Sequence, residues 1–360
     1  MKIGILTYYR VHNHGAVLQS YALLKTLEHM GHEVEFLTFK RNYDYLVEGQ
    51  DKKYSFTISS FFYFLKYFLE KGLYNTFYNY FKKIKLEKFR TENFSSNTRY
   101  TDFIGDIVII GSDEVFSIEI GINPFFYSHG LTAQKIFSYA GSFGPSTINT
   151  IRKKGLESMI ASGIERLDQV SVRDLNSQKI VECLSSKKAK IVCDPVILYG
   201  YKKEMELFIP KQRDYILLYS YDKNFNSYSE ISHIKKYAQV HKLRIFSIGY
   251  YHSWCDKNVQ ASPIELLGWF RHATIVITDT FHGAVLSIIC NVAMVIKVRE
   301  NQNKLSYLLE EYDLLSRVIY NMEELCDNNF PVIDFSKINE RIDVIRMESL
   351  EYLKGGLKAE

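Results

Sequence analysis

One unit recurs along this chain: a short apolar strand, a polar or glycine-bearing turn, then a helix with amphipathic spacing. It appears first at the start of the sequence. "KIGILTYY" reads as a strand, "RVHNHG" as a polar loop, and "AVLQSYALLKTLEHMG" as a helix that stops at Gly31. "HEVEFLTF" then alternates with period two, as a strand does. The unit returns in "DIVIIGSDEVF" at 106–116, "KIFSYAGSFG" at 135–144, "QVSVRD" at 169–174 and "AKIVCDPVIL" at 189–198. Strands separated by helices imply an α/β fold with a mainly parallel sheet. "DPVILYGYKKEMELFIPKQRD" reads as a domain junction. A second α/β series follows, through "YILLYSYD", "RIFSIGYY", "TIVITD" and "AMVIKV".

With 360 residues the chain exceeds the usual extent of one hydrophobic core. The expected architecture is therefore two Rossmann-like doubly wound domains facing a cleft. The first covers residues 1–198, the second 199–335, and a last helix over 336–360 packs back across them. Ligands of such sheets bind beyond the strand ends. Residues 55–90 break the pattern, being aromatic and then basic. They predict an aromatic-rich helical insertion at about 55–96, made of one or two helices. This segment either packs on the first domain or meets an anionic membrane surface or a partner. Its lysines Lys82, Lys83, Lys85 and Lys88 read as a solvated face.

Composition excludes several classes. Hydrophobic residues make up 46% and charged residues 24%, which argues against disorder. A net charge of +4 gives no case for nucleic acid. Five cysteines without a CxxC pair suit reduced thiols and a cytoplasmic location. Arg10 interrupts the first apolar run, so no signal peptide is expected, and "AVLSIICNVAMVI" is too short for a bilayer span. The ten histidines show no HExxH, and "HNH" at 12–14 is too tight for a metal site, so no metal or cofactor is expected.

Five turns carry chemistry. In "RVHNHGAVLQ", Gly15 and the amides after it open a helix, where an anion is favoured; Asn13 or His14 could equally be a plain cap. Ser112 and Asp113 follow an apolar strand and either cap a helix or reach the cleft. "SYAGSFG" allows close backbone approach or a tight structural turn. Arg173 ends the strand "VSV"; it either forks onto a carboxylate or phosphate or pairs with a nearby acid. In "TDTFHGAV", Asp279 and His282 sit at a strand–helix joint. His282 is either a cap or a proton donor and acceptor.

Taken in order, "NHGAVLQSYAL", "GSDEVF", "SYAGSFG", "SVRD", "CDPVIL", "ITDTFHGAVLSI" and "NKLSYLLEEYDLLSRV" resemble the polysaccharide pyruvyl transferase family over about residues 3–318. The resemblance implies a GT-B-like pair of Rossmann domains. It also implies transfer of the enolpyruvyl unit of phosphoenolpyruvate onto a sugar of a cell-surface polysaccharide or its lipid-linked precursor, giving a pyruvate ketal and phosphate. By matching motif, His282 stands at the family's active-site histidine and Arg173 at its anion-binding arginine, with Asp279 or Asp113 as base or hydroxyl orienter. Thr280, Gly283, Lys297 and Arg299 are the expected donor-binding residues. Asn13, His14, Gly15, Gln19, Ser112, Asp113 and Ser142 are expected at the acceptor or cleft side. Glu114, Phe116 and Ser117 depart from the Gln, Trp and Asn of many members, and Thr280 stands where one branch has Arg. Phosphoenolpyruvate and a glycan acceptor are thus the expected partners, with candidate membrane contact through 55–90 at the inner face of the membrane. The rival readings are a GT-B glycosyltransferase using a nucleotide sugar, and a non-catalytic envelope-assembly protein.

Overall fold

The computed structural model describes residues 1–40, 58–95, 98–299, 303–327 and 330–358. Positions 55–57 and 96 of the expected insertion, and 359–360 of the expected last helix, lie outside these. In chain order the strands are β1 (Lys2–Leu6), β2 (Glu33–Phe36), β3 (Ile107–Ile110), β4 (Lys135–Ser138), β5 (Val170–Val172) and β6 (Ala189–Ile191). They continue as β7 (Tyr215–Tyr219), β8 (Arg244–Ile248), β9 (Lys257–Val259), β10 (Ile275–Thr278), β11 (Met294–Lys297) and β12 (Val318–Ile319).

All these pairings are parallel. The first sheet has the order β2-β1-β3-β4, and single bridges at Phe137–Gln169 and Gly141–Val172 carry it on to the pair β5-β6. The second has the order β12-β11-β10-β7-β8-β9. In each, the winding reverses beside a central strand: between β1 and β3, and between β7 and β10. Turns leaving such neighbours diverge and open a crevice. The central strands are buried along their whole length, which is why they read as unbroken apolar runs.

"AKIVCDPVIL" divides where the sequence pattern runs on. β6 ends at Ile191, and Asp194 caps a short helix, Pro195–Tyr199, with Pro195 at its first turn. Proline has no N–H for a ladder but is pre-set for a helix start. β9 and β12 are short outer strands without the apolar run that marks β3, β7 and β10.

One buried apolar cluster joins the sheets. It runs from Ile3 and Phe36 through the first helix, His14–His29, and Pro195–Tyr199 to Leu217, Phe246 and the helix Phe281–Ile289. The last helix, Phe335–Leu357, returns to the first sheet, where the Tyr352 hydroxyl donates to Ser138 O at 2.9 Å. Cys193 N donates to Ser349 Oγ of the same helix at 3.0 Å.

The aromatic segment forms a helix over Ile58–Asn93, broken at Gly72, where φ is 74°. Its second half straps both sheets. Tyr78 Oη donates to Val259 O (2.9 Å), Lys85 Nζ to Gln260 O (3.0 Å), and Arg90 to Val11 O (2.8 Å). The expected solvated lysine face is corrected here. Lys82 shares the inward face with Tyr78, Leu86 and Phe89, is 5% exposed, and donates to Gly249 O at 2.9 Å. Its ammonium lies 4.6 Å from the Tyr250 ring centre. Lys83 and Lys88 are exposed, as are Tyr74, Phe77, Tyr80 and Phe81 on the outward face. No helix among the described residues is long and apolar enough to cross a membrane.

Burial pushes the Lys82 ammonium down to about 8 from an ordinary 10.5. The unfolded chain then holds the proton more tightly, so Lys82 opposes folding below that pH and the penalty fades towards 10.5. Urea denaturation of wild type and Lys82→Met should show their stability difference moving in favour of wild type over this window. A pH-independent difference would mean that Lys82 titrates as a surface lysine does.

Candidate active site

Two helix N-termini meet where the two crevices face each other. Asn13 caps the first helix, its Oδ1 accepting from Gly15 N at 2.8 Å. Thr280 caps the helix Phe281–Ile289, its Oγ1 accepting from Gly283 N at 3.0 Å. Both glycines are required by close approach: a Cβ at Gly15 would overlap the His282 ring, and one at Gly283 would overlap the Thr278 hydroxyl. Helix N-termini present N–H groups and positive potential, so this junction favours an anion.

Arg173 lies behind it. Its side chain is 1% exposed, with NH1 donating to Asp194 Oδ2 at 2.7 Å and NH2 to Asp113 Oδ1 at 2.8 Å. Its guanidinium carbon stands 4.5 Å from the Phe281 ring centre. Burial alone would raise the Asp113 carboxyl, but Arg173, then His282 and Lys304, hold it well below the usual range. Burial opposes the Arg173 charge, and Asp113 and Asp194 more than restore it.

His282 Nε2 is 3.9 Å from Asp194 Oδ2 and has no hydrogen-bond partner among the described residues. Burial lowers its pKa, Asp194 and Asp113 raise it, and Arg173 and Lys304 lower it further. The net effect is a fall below 6.5, so the imidazole is mainly neutral at neutral pH. The ring opens on a cleft of about 230 Å³ whose other walls include Asn13, Glu114, Tyr221, Tyr250 and Lys304.

The remaining expected site residues fall into three places. His14 turns inward, its Nε2 2.8 Å from Ala261 O, and burial pushes it down to about 4. Gln19, Ser112 and Ser142 are buried braces: Ser112 Oγ donates to Gln19 Oε1 at 2.7 Å, and Ser142 Oγ to Asp174 Oδ2 at 2.7 Å. Asp279 borders the cleft, but its carboxylate accepts from Ser220 Oγ (2.5 Å), Asn224 Nδ2 (2.7 Å) and Arg299 Nε (2.5 Å). Arg299 also reaches Glu230 at 3.0 Å. Lys297 points to the outer edge of the second sheet, donating to Tyr320 O.

The sequence model of one protein family, polysaccharide pyruvyl transferase, matches residues 13–298. The chain belongs to the polysaccharide pyruvyl transferase family. Among curated proteins none matches it. In fold it is similar to the glycotransferase of kitacinnamycin, with 11% identity and a TM-score of 0.51 over 99% of this chain and 98% of that one. It is also similar to the UDP-N-acetylglucosamine 2-epimerase of Rickettsia bellii, with 9% identity and a TM-score of 0.51 over 99% and 96%. A Thermobaculum terrenum O-GlcNAc transferase mutant is matched at 10% identity over 99% of this chain and 66% of its own length, with a TM-score of 0.45. The α/β architecture with parallel sheets is GT-B-like, on the likeness to the kitacinnamycin glycotransferase.

Sequence reasoning assigns no site role to Asp194, to the cleft tyrosines of this pyruvyl transferase family member, or to Lys304, although Lys304 falls in the segment "NKLSYLLEEYDLLSRV" that resembles the family. Asp194 lies in "AKIVCDPVIL", which reads as a strand unit; in the structure it caps the helix Pro195–Tyr199, accepting from Val196 N at 3.0 Å through its other oxygen. Among the described residues no group of three or more His, Cys, Asp and Glu side chains could hold a metal ion.

Arg173→Ala leaves the buried Asp194 and the partly buried Asp113 carboxylates without their cation, a loss of about 3–5 kcal/mol. Arg173→Lys keeps the charge without the fork and should lose less. Urea denaturation checks both, and an Arg173→Ala protein as stable as wild type would contradict the buried triad.

Proposed function

We propose that this protein transfers the enolpyruvyl group of phosphoenolpyruvate onto a sugar of a cell-surface polysaccharide or its lipid-linked precursor, forming a pyruvate ketal and releasing phosphate. Family membership supports pyruvyl transfer to a polysaccharide. The observation that carries the chemistry is His282: a buried imidazole whose Nε2 has no hydrogen-bond partner among the described residues, at the meeting of two helix N-termini.

Ketal formation adds one proton to the methylene carbon C3 of the donor and takes two from the sugar hydroxyls. In this reading imidazolium at His282 protonates C3, and C2 gains oxocarbenium character. The first hydroxyl attacks C2 and returns its proton to the now neutral imidazole. Phosphate leaves, the second hydroxyl closes the ring, and its proton departs with the phosphate. One histidine therefore serves as acid and then as base. This suits a site in which Asp113 is bound to Arg173 and Asp279 already accepts three hydrogen bonds.

The donor is an anion, and its arrival beside His282 raises the imidazole pKa. Protonated His282 is the active form, so rate falls as pH rises through its pKa. The alkaline limb of kcat/KM should lie below 6.5, the unshifted histidine value, and that of kcat at higher pH. His282→Gln keeps a neutral hydrogen-bonding group but cannot carry the proton. Turnover should fall roughly 10²- to 10⁴-fold while the thermal midpoint stays near that of wild type. Near-normal turnover in His282→Gln would refute this mechanism.

A further inference from the structure

The buried triad of Arg173, Asp113 and Asp194 poses a charge problem for the reading above, on which this inference rests. One guanidinium meets two carboxylates, and both of its terminal nitrogens are committed to them. The set therefore carries a net negative charge beside the place where an anionic donor must sit. The helix N-termini supply only partial charges. A further full cation is needed within the cleft.

Lys304 occupies that place. It lies in the first turn of the helix Asn303–Glu311, lines the cleft, and stands 5.4 Å from the Phe281 ring centre, the ring that also holds Arg173. Its ammonium is ion-paired with Glu114 Oε1, which comes from the loop after β3. We propose that Lys304 receives the phosphate of the donor and that Glu114 is the resident counter-ion the phosphate displaces.

Exposure supports the exchange. The Lys304 and Glu114 side chains are both partly exposed, at 23% and 25%, whereas in the triad the cation Arg173 and its partner Asp194 are 1% exposed and only Asp113 reaches 18%. A pair in which both members are partly solvated is worth little and gives way to a stronger anion, whereas the fully buried pair of Arg173 and Asp194 does not. Lysine also suits a phosphate, which it meets as a point charge, better than the two-point geometry of a carboxylate. The field of Lys304 reaches the reacting centre, since it disfavours the proton on His282 and favours the charge on Asp113.

The experiment is calorimetric binding of phosphoenolpyruvate, inorganic phosphate and pyruvate to wild type, Lys304→Met, Lys304→Arg, Glu114→Gln and the Lys304→Met/Glu114→Gln double variant. Lys304→Met should weaken phosphoenolpyruvate and phosphate by about tenfold or more, the scale of one lost charge-assisted hydrogen bond, and leave pyruvate unchanged. Lys304→Arg should keep most of the affinity. Glu114→Gln should tighten both phosphate-bearing probes by about two- to fivefold, because a competitor for Lys304 is gone. In the double variant the gain from Glu114→Gln should vanish. Glu114→Gln weakening the donor as Lys304→Met does would overturn the exchange, since the pair would then be a structural unit. Phosphoenolpyruvate bound equally by every variant would overturn the role of Lys304 and leave the proposed donor intact. The same variant pattern seen with inorganic phosphate, without binding of phosphoenolpyruvate, would support the exchange and sink the proposed donor.

Discussion

The buried guanidinium of Arg173 is the interaction on which the site depends. A charge taken out of water this completely is tolerated only with partners of good geometry. The two partners come from different turns: Asp113 after β3 and Asp194 after β6, while β5 delivers the arginine itself. One side chain thereby fixes the loops at the ends of three strands. Its flat face rests on Phe281, so the helix that carries His282 is set against the same group. Such a triad adds little net stability. Its effect is positional, and it is felt at Asp194, which faces both Arg173 and His282.

The rest of the geometry follows from how the sheets are wound. Each reverses direction beside one central strand, and each reversal leaves a crevice. The first helix starts from one crevice and the His282 helix from the other. Their close contact at Gly15 and His282 brings the positive ends of two helices towards one small space. The strap helix and the last helix close the outside of this joint through bonds to both sheets or back to the first. A cleft built this way is polar where the strands end and apolar behind, which suits a small anion beside a sugar.

Much of this is legible in the sequence, for a physical reason. Buried parallel strands must be continuous apolar runs, so "IVII", "YILLY" and "IVIT" can be read directly. His282, Arg173, Asn13 and Gly15 stand at strand–helix joints, where ligands of doubly wound sheets gather. Asp194 is hidden because a capping aspartate before proline looks complete without any second role; it caps with one oxygen and meets Arg173 with the other. Lys304 is hidden because its partner Glu114 is 190 residues away. Asp279 is a base or hydroxyl orienter only by the family resemblance, and only the fold reveals the serine, asparagine and arginine that already bind it. Lys82 escapes the sequence because a run of lysines carries no sign of which one faces inward; the face is set by Tyr78, Leu86 and Phe89, whose burial fixes the rotation of the helix.

The most direct measurement is phosphate release from phosphoenolpyruvate in D₂O with a panel of sugar and lipid-linked acceptors, followed by NMR of the product. Pyruvyl transfer with protonation at C3 predicts release that depends on the acceptor, and a ketal methyl group carrying one deuterium. Consumption of a nucleotide sugar with the same acceptors, and no release from phosphoenolpyruvate, would contradict it.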